Sequence, residues 1–299
     1  MHGTNDFRSP PRLADLAQLI RMPAALSVPG DVLAGAVASA GTPRPRIVAT
    51  MASSVALYWA GMALNDYADA TVDAVERPGR PIPSGRVARR TALTTACGLT
   101  AAGLGLAALG GGRRALGVAL PLTGLVWAYD LGLKSTPAGP AAMAGARALN
   151  VLAGADPGRR AAALPAALLV GAHTCTVMAL SLHEVSGAPR TVPVATLAGS
   201  TATALAAAAL PTWRRRGPAA RIGAAAGALG YLATYGSAQA RAAREPSADN
   251  VRGAVGTGIL SLMPLQASLT AGGGGAALAA ILAVAHPLAR RLARKVSPT

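Results

Sequence analysis

The chain has 299 residues, 52% of them hydrophobic but only 3% aromatic, with 13% charged and a formal net charge of +16. A mean hydropathy of +0.40 leaves an Ala-rich soluble bundle as an alternative. Such a bundle would carry charge on every outward turn, whereas 91 to 112 and 253 to 289 hold no charged residue. The excess positive charge lies in short clusters without interleaved aromatics, which argues against nucleic acid and for loops between membrane spans.

In chain order, residues 1 to 12 read as a polar, disordered tail, and 13 to 292 as one membrane domain without a disordered linker. The first apolar window, 23 to 40, contains Asp31, an ionisable residue whose place in a span marks either function or a bond between helices. The second, 47 to 65, runs into the acidic segment Asn65-Asp66-Tyr67-Ala68-Asp69-Ala70-Thr71-Val72-Asp73. Pro78, Pro81 and Pro83 prevent a continuous helix beyond it and predict an extended turn near Pro81-Ile82-Pro83-Ser84-Gly85. Further windows follow at 91 to 112, 115 to 129, 135 to 155 (carrying Arg147), 161 to 182, 191 to 210 and 222 to 240. The stretch 253 to 289 is long enough for two spans, broken at Gly272 to Gly275. The expectation is an all-α polytopic membrane protein of about nine or ten transmembrane helices, with abundant Gly and Ala allowing close helix approach.

With ten spans, seventeen Lys and Arg residues fall on one side and ten on the other, with Arg147 inside a span. The majority side, which carries the acidic segment, is expected to face the cytoplasm of a cell membrane. Cys97 and Cys175 lie in apolar windows without metal-ligand spacing and are expected to be buried thiols. Trp213, beside Arg214 to Arg216, reads as an interfacial anchor, and no cleavable signal is evident at the start of the chain.

The acidic segment carries the chemistry. At roughly 100° per residue, Asp66, Asp69 and Asp73 fall within about 60° of one another on a helix. Carboxylates so placed repel unless a cation joins them, and a hard oxygen-seeking ion such as Mg2+ suits them. Mutual neutralisation with Arg77 and Arg80 is the bland reading. Against it stands the cluster's position at the end of an apolar helix, where charge is expensive. Spare positive charge from those arginines suits a diphosphate bridged to the carboxylates through the metal.

The pattern N-D-x-x-D-x-x-x-D followed by Arg80-Pro81-Ile82-Pro83-Ser84-Gly85 resembles the first signature of the UbiA superfamily of intramembrane prenyltransferases. Tyr129-Asp130 with Lys134, and Arg147 with Asn150, fall in the order that family shows, and the resemblance covers roughly 13 to 270. It implies spans around a central cavity and Mg2+-dependent transfer of a prenyl group from an isoprenyl diphosphate to an aromatic or other small acceptor in the bilayer. Asn65, Asp66, Asp69 and Asp73 are then metal or diphosphate ligands, and Arg77, Arg80 and Lys134 bind diphosphate oxygens. Arg147 and Asn150 are candidate substrate contacts, although Arg147 has Asp31 and Asp130 as alternative partners.

The family's second acidic cluster, D-x-x-x-D, is reduced here to His183-Glu184 within 178 to 187. Glu184 is the remaining candidate metal ligand and catalytic carboxylate, and His183 is a base or, more simply, a polar helix end. This departure is most similar to the EboC-like branch, whose acceptor is not implied by the resemblance. It also keeps open a noncatalytic isoprenoid carrier or transporter. A CDP-alcohol phosphotransferase is disfavoured because Ala70 follows Asp69, where that class has D-G-x-x-A-R.

Overall fold

The computed structural model describes residues 12–40 and 43–296. Most of the predicted tail therefore lies outside the described residues, as do the side chains of Trp213, Arg294 and Lys295. All regular elements among the described residues are helical: α1 (Leu13–Leu19), α2 (Val28–Ala40), α3 (Ile47–Ala68), α4 (Ala70–Glu76), α5 (Arg89–Leu131), α6 (Gly139–Gly154), α7 (Leu164–Ser181), α8 (Thr191–Trp213), α9 (Pro218–Tyr231), α10 (Ser237–Arg244), α11 (Ala248–Gly272) and α12 (Ala276–Val296). Five helical segments are long and apolar enough to cross a membrane: Ile47–Ala68, Arg89–Leu131, Arg160–Ser181, Thr191–Pro211 and Ala248–Gly272.

Helix α5 explains why two predicted windows become one element. Its 43 residues would extend about 65 Å if straight, roughly twice the hydrocarbon thickness of a bilayer. Gly112, at φ 57 and ψ −150, is the non-helical residue inside it, so the chain turns there as the Gly110-Gly111-Gly112-Arg113-Arg114 run suggests. The outbound half starts with Arg89 against the end of α3, and Gly110 comes back to Ala49 near its start. The return half brings Lys134 to the end of α3 again.

The bundle therefore has two polar ends. One gathers the C-terminus of α3, the loop 77–88, Lys134 and the loop 182–190. The other gathers the C-terminus of α2, Arg46, the turn at Gly112, Asp156 and the residues after α8, tied together by Arg46 to Asp156, Arg160 to the Arg114 carbonyl and Arg214 to the Ala38 carbonyl. The basic residues named at these two ends divide between them as they do in the sequence.

Small residues set the spacing between. A Cβ on Gly35 would lie 1.8 Å from the Val151 carbonyl oxygen, and one on Gly154 would lie 2.0 Å from the Val32 carbonyl oxygen. The α2 and α6 backbones thus touch directly, which only glycine permits. The largest apolar core joins α6, α7, α8, α9 and α11. Within it His173, Tyr231 and Tyr235 stack edge to face with centroids 5.3 to 5.9 Å apart. Outward faces carry exposed leucines, isoleucines and valines such as Leu109, Leu168, Leu205 and Val284, as lipid-facing helices require. Cys97 and Cys175 lie on these outward faces, exposed. The expectation of buried thiols is corrected: apolar character does not separate a lipid-facing position from a core one.

Candidate functional site

Helix α3 ends at Ala68, and Asp69, with φ −86 and ψ 5, separates it from α4. The hydrogen-bond register survives this break, since the amides of Asp69, Asp73 and Arg77 bond the carbonyls of Asn65, Asp69 and Asp73 at 2.8 to 2.9 Å. The chain then bends through the prolines into the turn predicted at 81–85. There the Ser84 and Gly85 amides bond the carbonyls of Arg80 and Ile82, and Gly85 takes φ 74.

That turn aims Arg80 back at the acids. Its Nη1 lies 2.5 Å from Asp73 Oδ2 and 3.3 Å from Asp66 Oδ1. Arg77 adds a looser contact to Asp73 at 3.6 Å. Arg86 holds the turn in place from outside, donating to Asp15 Oδ1 at 2.5 Å, Gln18 Oε1 at 2.8 Å and the Gly79 carbonyl at 2.8 Å. Arg89 lies 4.6 Å from the centre of the Tyr67 ring and donates to the Tyr67 carbonyl at 3.1 Å.

Asp69 faces a different partner. Lys134, just beyond α5, donates to its Oδ1 at 2.6 Å. The three acids therefore share one end of the bundle but not one cation: Asp66 and Asp73 share Arg80, and Asp69 takes Lys134. Asn65 donates from Nδ2 to Asp130 Oδ1 at 3.3 Å, which adds a fourth carboxylate. Asp66 and Asp73 are buried, while Arg80 and Lys134 are 21% and 22% exposed, so the cations lie nearer the opening than the buried acids.

Arg21 was not among the expected site residues. It precedes the 3-10 turn Met22–Ser27 in a left-handed backbone conformation, φ 46 and ψ 53. Its Nη2 lies 2.9 Å from Asp66 Oδ1 and 3.5 Å from Asn65 Oδ1. A strained non-glycine residue whose side chain meets the acidic cluster is a functional signal, but sequence spacing gives no hint of a contact across 45 positions.

Arg147 and Asn150 are held in the bundle interior by Asp31. Asp31, fully buried, lies 3.2 Å from Arg147 Nε, accepts from Asn150 Nδ2 at 3.0 Å and accepts from Gln266 Nε2 at 2.7 Å. Of the two roles expected for Asp31, helix-to-helix bonding is the one seen, joining α2, α6 and α11. Arg147 Nη2 remains buried without a partner among the described residues, and Tyr58 lies within electrostatic reach of both Arg147 and Arg21.

Glu184 lies in the loop between α7 and α8. Among the described residues, no ion pair within 4 Å joins it to a basic side chain. Burial raises its carboxyl above the ordinary carboxylate range, while Arg77 and Arg252 act in the opposite direction. The Arg252 guanidinium bonds the Glu184 backbone carbonyl at 3.2 Å. The loop thus faces Arg77, at the same end of the bundle as the acidic cluster. His183 makes backbone turn bonds to Leu180 and Gly187.

Among the described residues, no three His, Cys, Asp or Glu side chains converge closely enough to hold an ion by themselves. Mg2+ does not need that: it usually takes one or two carboxylates, keeps waters and completes its shell with substrate phosphates. The donors present are carboxylate and amide oxygens with no soft ligand among them, so their chemistry fits such an ion.

A family model described as the UbiA prenyltransferase family matches residues 28–198. Digeranylgeranylglyceryl phosphate synthase of Methanopyrus kandleri is 42% identical over 110 residues, covering 37% of this chain and 38% of the relative. The synthase of the same name from Methanoregula boonei is 44% identical over 78 residues, covering 26% and 28%. The chain thus aligns with well under half the length of these curated relatives. A solved structure concerning digeranylgeranylglyceryl phosphate synthase in membranes superposes with a TM-score of 0.65 at 16% identity, covering 87% of this chain and 98% of that one. The apo structure of a UbiA homolog from Aeropyrum pernix K1 gives 0.64 at 16% identity, covering 82% and 96%. At that identity the likeness is one of fold.

Proposed function

The chain belongs to the UbiA prenyltransferase family, and from that premise we propose that it transfers a prenyl group from an isoprenyl diphosphate to a small acceptor, with Mg2+ as cofactor. The observation that carries this reading is the pairing of the acidic segment, in which Asp66, Asp69 and Asp73 are each paired with a guanidinium or ammonium group: Arg80 of the following loop on Asp66 and Asp73, and the sequence-distant Arg21 and Lys134 on Asp66 and Asp69. Four carboxylates, counting Asp130, face four cations: Arg21, Arg77, Arg80 and Lys134. A magnesium diphosphate adds little net charge to such a set. The carboxylates would hold the metal and the four cations the phosphate oxygens of such a substrate, so that no charge would be left buried and uncompensated.

In this reading Asp66, Asp69 and Asp73, with Asn65 and Glu184, hold the metal directly or through water. When bound, the ion supplies Lewis-acid stabilisation of the diphosphate oxygens. Arg77, Arg80 and Lys134 bind the same diphosphate, and their charge stabilises the electron pair that leaves with it as the allylic C–O bond breaks. The new bond forms from an electron-rich acceptor atom, whose proton is released. The Arg86 contact to α1 keeps Arg80 aimed at the site. Arg147 and Asn150, tied to Asp31, act on substrate through the atoms left unpartnered among the described residues, Arg147 Nη2 and Asn150 Oδ1.

The names of the matching relatives support a hydroxyl-bearing, phosphate-linked glyceryl acceptor over an aromatic one. The basic majority supports a multi-pass protein of the cell membrane whose acidic end faces the cytoplasm. The test is release of diphosphate from an allylic prenyl diphosphate by purified protein with and without Mg2+. Loss of that release in Asp69→Ala is the expected result. Binding of a polyisoprenoid without diphosphate release, for any donor or acceptor, would instead assign the chain as a carrier.

A further inference from the structure

The end of the bundle opposite the acidic cluster carries a second cationic feature that prenyl transfer does not use. A cleft of about 540 Å3 opens there between the C-terminus of α2, the turn before α7 and the residues after α8. Its lining includes Ser39, Arg159, Arg214, Arg215 and Arg216. Asp156 is the one acidic residue at this end among the described residues, and it is already engaged by Arg44 at 2.9 Å and Arg46 at 3.2 Å. The cleft therefore has no carboxylate of its own.

The four arginines are not equivalent. Arg214 is committed to the fold, because its guanidinium bonds the carbonyls of Ala38, at 2.9 Å, and Ala162, capping chain ends that would otherwise stay unpaired. The guanidinium groups of Arg159, Arg215 and Arg216 have no hydrogen-bond or ion-pair partner among the described residues. Arg216 crowds Arg214 with like charge. Arg215 sits at φ 53, a left-handed backbone that a non-glycine residue adopts only under constraint. Simple capping accounts for Arg214 and leaves three guanidinium groups around an open space.

We infer that this cleft binds the phosphate group of a lipid headgroup. Guanidinium groups match phosphate oxygens in planar, paired geometry. The position argues for lipid over free phosphate: the cleft lies at the ends of membrane-spanning helices, and Leu164 and Leu168, at the start of α7 next to the cleft wall, are exposed as lipid-facing residues are. A phosphate at headgroup depth, with its acyl chains along α7, meets both features. The inference is independent of the prenyl-transfer reading.

The full chain, reconstituted in nanodiscs containing phosphatidylglycerol and phosphatidylcholine, is released and its retained lipids are counted by native mass spectrometry. Wild type is expected to retain phosphatidylglycerol preferentially. At about fivefold per surface cation, Arg215→Gln with Arg216→Gln should weaken that retention roughly 25-fold. Arg190→Gln, an exposed arginine at the other end, should leave it unchanged, and circular dichroism should show the same helix content in all three. No lipid preference in wild type, or equal retention in the double variant, overturns the inference. So does stabilisation of delipidated wild type by inorganic phosphate that depends on Arg215 and Arg216 while no phospholipid is retained, since that result assigns a free anion.

Discussion

Replacing Arg147 by Met separates an internal tie from a substrate contact. Asp31 is fully buried and Arg147 is 13% exposed, so little solvent screening weakens the pair. Arg147→Met leaves a carboxylate in the interior with only the amide groups of Asn150 and Gln266 as donors, and breaking one partner of such a pair costs about 3 kcal/mol. Asp31→Asn should cost a similar amount by leaving the guanidinium without a counter-charge. The combination Asp31→Asn with Arg147→Met removes both charges and should recover about 2 kcal/mol of the summed loss. At roughly 2–4 °C per kcal/mol for a chain of this size, each single variant should unfold about 6–12 °C below wild type in detergent, and the double variant little lower than either. A Tm unchanged in Arg147→Met, accompanied by a raised KM for donor or acceptor, would refute the internal tie and return Arg147 to substrate binding.

At the α2–α6 crossing, Gly35→Val should cost about 3 kcal/mol or more, because its first side-chain carbon would overlap the Val151 carbonyl; a thermal melt equal to wild type would contradict the crossing. Lys134→Met removes the cation on Asp69 and should lower diphosphate release about 100-fold, whereas Lys134→Arg should restore part of it. At the other end, the Gly158 amide first, then Arg44 and Arg46, hold the Asp156 carboxyl below the ordinary carboxylate range. A depressed acid contributes stability above its unfolded pKa of about 4 and loses it as pH falls through the folded value. The Tm difference between wild type and Asp156→Asn should therefore be present at neutral pH and vanish at strongly acid pH, and a difference unaffected by pH would exclude this account.

The helical membrane architecture was legible because it rests on composition and punctuation. The run Gly110 to Arg114 marks the turn inside α5, and Pro78, Pro81 and Pro83 mark the loop that carries Arg80. The pairing of that loop with the acids was disfavoured from the sequence, which left Arg77 and Arg80 as spare charge; in the structure both are engaged, Arg80 by Asp66 and Asp73 and Arg77 by Asp73, because only a few residues separate them from Asp73. Two contacts were not legible at all. Arg21 reaches Asp66 from the turn after α1, and Gln266 reaches Asp31 from near the end of the chain. Gln266 had one signal in retrospect, as a polar side chain in the long uncharged stretch 253 to 289, where it needs a partner. Cys97 and Cys175 show the opposite limit. In a membrane bundle the outward face is as apolar as the core, so hydrophobic periodicity loses its power to say which way a residue points. Asp69 falls between these cases: its spacing places it with Asp66 and Asp73, but the break after Ala68 turns it toward Lys134.

The proposed hold of the carboxylates on metal is tested most directly by metal-dependent diphosphate release in wild type and in Asp66→Asn, Asp69→Asn and Asp73→Asn, measured with an allylic prenyl diphosphate and a glyceryl phosphate acceptor. Release that requires Mg2+ and falls about 100-fold or more in each variant is the predicted result. Release that proceeds equally in all four proteins, or equally without the metal, would contradict it.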